Sequence, residues 1–65
     1  MKVDKNKLGI AMANAGCNFT ELIGLSGVSR NTLSAINNGR NCSAVVLGKI
    51  AKALNIEPKE LLKED

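Results

Sequence analysis

Histidine, tryptophan and tyrosine are absent from this 65-residue chain; phenylalanine occurs once (Phe19), proline once (Pro58) and cysteine twice (Cys17 and Cys42). Without an imidazole, two thiols cannot complete a four-ligand zinc site within one chain. Neither cysteine has a base partner that would make it a nucleophile. The glycines are scattered as helix stops and packing sites, and they form no phosphate-cradling loop. Enzymatic chemistry, a metal and a cofactor are therefore not expected. With one aromatic ring, the core must be built from Leu, Ile, Val, Ala and Met. A length of 65 residues allows one domain with one small core, here taken as residues 1–65.

Export signals are also lacking. The N-terminus MKVDKNKLGIAMANAGC has basic residues and an Ala-Gly-Cys, but its apolar run, Leu8 to Ala13, spans six residues before Asn14 interrupts it. Signal cores need roughly 7–15 apolar residues, and Asp4 is misplaced in a basic leader. No run approaches the roughly 20 apolar residues of a membrane span. The expectation is a cytoplasmic protein, off the membrane, in which two cysteines are reduced thiols rather than a disulfide. Cys17 is expected to pack as a small hydrophobe.

Negative charge is scarce and confined to the ends. The six acids are Asp4, Glu21, Glu57, Glu60, Glu64 and Asp65, against a net charge of +3. From Leu22 to Ile56 the charged residues are Arg30, Arg40, Lys49 and Lys52, all positive. A surface without carboxylates suits a polyanion, because each carboxylate near a phosphate repels it. Charge alone also allows an ordinary solvated face.

What is present is helical periodicity, and no segment alternates as a strand would. Asp4 can cap a helix over Lys5 to Ala15 whose apolar positions are Leu8, Ala11, Met12 and Ala15, with Gly16 as its stop. Asn18 followed by Glu21 has the spacing of a capping box and opens a second helix from Phe19 to Ser26, with Leu22 and Ile23 inward. Gly27 breaks it. Ser29 caps a third helix, Arg30 to Asn37, with Leu33 and Ile36 inward, and Asn38-Gly39 supplies residues tolerant of positive φ. Ser43 caps a fourth, Ala44 to Leu54, striped by Leu47, Ile50, Ala51 and Leu54. Pro58 suits the first turn of a fifth helix carrying Leu61 and Leu62.

Helices two and three, joined through Gly27 and a buried Val28, have the helix-turn-helix arrangement over about residues 19–37. Phe19-Thr20-Glu21-Leu22, Gly27-Val28-Ser29, Leu33, Ile36, Gly39, Ser43, Leu47, Ile50-Ala51, Ala53-Leu54 and Leu61-Leu62, taken in order, resemble the phage repressor and Cro type of helix-turn-helix domain, the Xre family. The resemblance covers about residues 7 to 62. It implies an all-α, compact, five-helix, lambda-repressor-like domain whose third helix enters the DNA major groove. It also implies a sequence-specific regulator, expected to repress by occupying an operator in a bacterial or phage-infected cell, at the nucleoid.

The residues at the start of helix three carry chemistry suited to that task. Ser29, Arg30, Asn31 and Ser34 are the expected base contacts. Arg30 can pair bidentately with guanine O6 and N7, and Asn31 with adenine N6 and N7. Phe19, Thr20, Thr32, Asn38, Arg40, Asn41 and Ser43 are the expected backbone contacts, which set register without reading sequence. The N-terminus of the fourth helix, behind Ser43, can hold a further phosphate. Many family members place Gln where this chain has Phe19, which can stack on sugar or a thymine methyl, or anchor the helix start. Where members have Ala, this chain has Ile23.

One such module touches few base pairs, so a homodimer on double-stranded DNA is expected, with half-sites about 34 Å apart. Leu25 and Val45, apolar residues on faces that should be polar, are the candidate dimer contacts. The competing reading is a protein-binding module, an antirepressor or antitoxin, using the same helices with weak or no DNA affinity.

Overall fold

The computed structural model describes residues 1–64, so the terminal Asp65, one of the six acids, lies outside the described residues. Four α-helices form: α1 Lys5–Ala15, α2 Phe19–Ser26, α3 Arg30–Asn37 and α4 Ala44–Leu54. Each starts where a side chain takes over a free backbone N–H, as helix N-termini require. Asp4 accepts from the N–H groups of Asn6 and Lys7 at 2.8 and 3.1 Å. Asn18 and Glu21 form the reciprocal capping box at 2.8 and 3.0 Å. Ser29 caps α3 and Ser43 caps α4, each through an N–H three residues on.

The fifth helix is a correction. Pro58–Leu61 is a single 3₁₀ turn, not an α-helix. Its bonds run between residues three apart, Glu60 N–H to Glu57 O and Leu62 N–H to Lys59 O. Leu62 is then pulled into extended backbone, φ −74° and ψ 139°, to make an antiparallel bridge with Val3. A continuing α-helix would spin Leu62 away from that bridge, so the tertiary pairing ends the turn after one cycle.

The same bridging shows a part of the core that periodicity misses. Val3 lies outside every helix and is buried all the same. Backbone bonds from Asp4 N–H to Leu61 O (2.8 Å), Lys63 N–H to Lys2 O (2.9 Å) and Cys42 N–H to Met1 O (2.8 Å) hold the N-terminal segment between the chain end and the loop after α3.

Val3 joins Leu8, Ala11, Leu22, Val28, Leu33, Ile36, Leu47, Ile50, Ala51, Leu54 and Leu61 in one cluster. Met12, Ile23 and Phe19 pack around it half-buried, whereas Ala15, expected inside, is exposed. Helix α2 packs chiefly against α4, which in turn packs on the 3₁₀ turn. No helix among the described residues is long and apolar enough to cross a membrane.

Candidate nucleic-acid interface

The link between α2 and α3 is three residues, Gly27-Val28-Ser29, and each has a separate task. Gly27 sits at φ 72°, left-handed, and its N–H closes α2 on Ile23 O at 3.1 Å. An added Cβ there would meet nothing within 4 Å, so the backbone conformation rather than space calls for glycine. Val28 is buried and pins the turn to the core. Ser29 opens α3. A fourth participant escaped the sequence reading: Ser26 is buried, and its Oγ accepts the Val28 N–H at 3.2 Å. A serine at a helix end carries little signal by itself, since its partner is decided by how the turn folds back.

The start of α3 is exposed at Ser29, Arg30, Asn31 and Thr32, whereas Ser34 is half-buried. Ser29 is occupied as the cap: its Oγ accepts from Thr32 N–H at 3.2 Å and donates to Thr32 Oγ1 at 2.9 Å. Arg30 reaches back to α2. Its Nη2 donates to Thr20 Oγ1 at 3.1 Å, and its guanidinium carbon stands 5.9 Å from the centre of the Phe19 ring. That distance is within the range of cation–π attraction. The first residues of α2 thereby hold the first cation of α3 in place.

A second group forms behind α3. Asn31, Thr32, Arg40, Asn41 and Ser43 line one concave surface of about 330 Å³, together with Cys42. Ala35, Ile36 and Val46 complete the lining, so polar donors share it with apolar side chains. The loop that supplies Arg40 and Asn41 is set by bonds of Arg40 N–H to Ala35 O (3.0 Å) and Gly39 N–H to Ile36 O (3.1 Å). Gly39 takes φ 98°, while Asn38, expected to share the positive-φ role, stays at φ −92°. Asn38 faces a different groove, beside Lys2 and Lys5, and does not join the α3 surface.

The structure therefore brings nine of the eleven expected side chains into two adjoining groups or their cap, leaving Ser34 half-buried and Asn38 apart. Among the described residues the one ion pair is Lys7 with Glu64 at 3.2 Å, so Arg30 and Arg40 carry no carboxylate there. Cys17 and Cys42 are both free thiols. The Cys17 thiol donates to Asn18 O at 3.3 Å. Desolvation first, then the Glu21 carboxylate, push its pKa up, which keeps it a neutral thiol.

The order of residues through and around this helix-turn-helix matches a known sequence pattern. The model of the Cro/C1-type HTH DNA-binding domain matches residues 7–64. The chain belongs to the Cro/C1-type helix-turn-helix family. It is thus a DNA-binding protein of the transcription-regulator class, and its α2 and α3 are the helix-turn-helix. Among solved structures it is similar to the restriction-modification controller protein C.AhdI from Aeromonas hydrophila, in a high-resolution crystal structure. The identity is 36% over 89% of each chain, with a TM-score of 0.78. A comparison with curated proteins found no match.

Proposed function

We propose that this protein is a sequence-specific repressor that works by occupying an operator, with α3 in the major groove of double-stranded DNA. The observation that carries this reading is Arg30, seated on Phe19 and Thr20 at the exposed start of α3. A guanidinium held in one place loses less conformational entropy when it meets guanine O6 and N7, which favours readout over loose charge attraction. Asn31 reads an adenine beside it, with Ser29 and Ser34 as the remaining base contacts. Thr20, Phe19, Thr32, Arg40, Asn41, Ser43 and Asn38 take phosphate and sugar, so that the concave surface behind α3 holds one strand. The likeness to a controller protein supports a regulatory task.

The protein binds as a homodimer, in the cytoplasm of a bacterium or phage-infected cell, on nucleoid DNA. Leu25 and Val45 are 65% and 68% exposed, which leaves both open to a second copy.

The test is a binding selection on a random duplex library at two salt concentrations, with wild type and an Arg30→Ala, Asn31→Ala double mutant. Wild type should enrich a palindrome that the mutant no longer selects, each lost pair weakening discrimination by about 1–3 kcal/mol. Both should keep a salt-dependent background. Absence of enrichment, with negligible binding at low salt, would end the operator reading and leave a protein partner of the antirepressor or antitoxin kind in its place.

A further inference from the structure

A second basic groove lies on the other flank of the loop after α3. It encloses about 520 Å³, and its lining includes Lys2, Lys5, Lys63, Asn37 and Asn38. The three lysines come from opposite ends of the chain, and backbone pairing is what assembles them. Lys63 N–H donates to Lys2 O at 2.9 Å, and Lys2 forms an antiparallel bridge with Asn41. Cys42 N–H donates to Met1 O at 2.8 Å, which fixes the N-terminal segment to the loop carrying Arg40 and Asn41. The groove is therefore separate from the surface assigned to the DNA backbone but tied beside it, through the pairing of Lys2 with Asn41.

Its charge is not neutralised from within. Among the described residues none of these lysines has a salt-bridge partner, since the one ion pair is Lys7 with Glu64. The single acid in the lining is Asp4, and its Oδ1 already accepts the N–H groups of Asn6 and Lys7 at the start of α1. That carboxylate sits where a helix N-terminus offsets negative charge. Three exposed lysines around one concavity make it attractive to an anion, and the amides of Asn37 and Asn38 add hydrogen-bond donors.

We propose that this groove is a second DNA-phosphate site, in which Lys2, Lys5 and Lys63 engage the sugar-phosphate strand as it leaves the loop of Arg40 and Asn41. The inference rests on the DNA reading above and enlarges its footprint. It makes the two ends of the chain part of the interface, by contacts that carry no sequence information.

Each phosphate neutralised contributes roughly 0.9 to the slope of log affinity against log salt. The experiment is fluorescence anisotropy with a labelled random-sequence duplex, between about 50 and 200 mM salt. It compares the wild type, a Lys2→Ala, Lys5→Ala, Lys63→Ala triple variant, and a Lys52→Ala, Lys59→Ala control whose lysines lie away from this groove. Folding is checked by the far-UV circular dichroism melt; the bonds that assemble the groove come from backbone atoms, so the triple variant should keep it. The triple variant should lose at least about 0.9 of slope, one phosphate's worth, on the random-sequence duplex. The control should keep the wild-type slope. Binding by wild type with an unchanged slope in the triple variant would overturn the groove alone. An equal loss in the control would overturn it too, as a mere effect of net charge. Failure of wild type to bind duplex at low salt would overturn the groove and the operator reading together.

Discussion

The contact between Arg30 and Thr20 joins the two helices of the motif through side chains that are both exposed. An exposed hydrogen bond contributes little to folding, because water replaces either partner. Its value lies in where it leaves the guanidinium. Thr20→Val keeps the shape of the side chain and removes the acceptor. Its melting temperature should stay close to wild type, the change in stability remaining within about 0.5 kcal/mol. In the binding selection the same variant should tolerate other bases at the position proposed for Arg30. A narrowed or unchanged base preference would mean that Phe19 alone seats the guanidinium, or that Arg30 leaves this perch on binding. Phe19 holds a double place here, packing against the core on one side and carrying Arg30 on the other. Of the two roles that the residue type leaves open in the sequence, anchor of the helix start or stacking on sugar or a thymine methyl, the packing against the core is the one seen, and the seat for Arg30 is a third that the sequence did not suggest.

At the scale of the element, the helices are bounded by their caps. Asn18, Ser29 and Ser43 each accept a backbone N–H, and such caps are worth about 1 kcal/mol apiece. The C-terminal stops differ more. Gly16 and Gly27 end α1 and α2 in the left-handed region, whereas α4 ends on Asn55 at φ 58°, ψ 44°. A left-handed residue with a Cβ is strained by roughly 1–2 kcal/mol, and asparagine is among the few that occupy the region routinely. Asn55→Ala should cost about 1 kcal/mol and lower the melting temperature by about 4–8 °C. Asn55→Gly should hold the wild-type value to within about 0.5 kcal/mol. If the glycine variant melts as low as the alanine one, the amide side chain rather than the backbone angle stabilises the α4 stop. Element boundaries were legible for this reason: Asp4, Asn18, Ser29, Ser43, Gly16 and Gly27 act on backbone groups within four residues of themselves, and such signals survive without knowledge of the fold.

At the scale of the whole molecule, stability depends on tying the chain ends to the bundle. A core in a chain this short rarely supplies more than about 3–5 kcal/mol. Leu61, on the 3₁₀ turn, is fully buried, and Val3 packs into the same cluster from outside any helix. Truncating Leu61 to alanine should cost about 2–5 kcal/mol, enough to abolish cooperative melting. Val3→Ala removes less, about 1.5 kcal/mol at 0.8 per methylene-sized group, and should leave a folded protein that melts lower. A Val3→Ala melt equal to wild type would show that the N-terminal segment is held by its backbone bonds and not by burial. The basic groove depends on this closure as well, since Lys2 and Lys63 meet through the backbone bond that accompanies the Val3 bridge.

By itself the sequence determined the four α-helices, their boundaries, the helix-turn-helix and the polar face at the start of α3. All of these rest on interactions of short range: caps within three residues, apolar residues recurring at three and four, and a left-handed glycine at a break. Only the tertiary structure decided what happens at the ends. It turned the expected fifth helix into one 3₁₀ turn, because Leu62 must be extended to pair with Val3. It buried Val3, exposed Ala15, and gave Ser26 a partner in the turn. It also placed Arg30 on Phe19 and Thr20, and gathered lysines from both termini around one groove. Such pairings link residues up to about sixty positions apart, so no local pattern encodes them; they exist only once the chain has closed on itself.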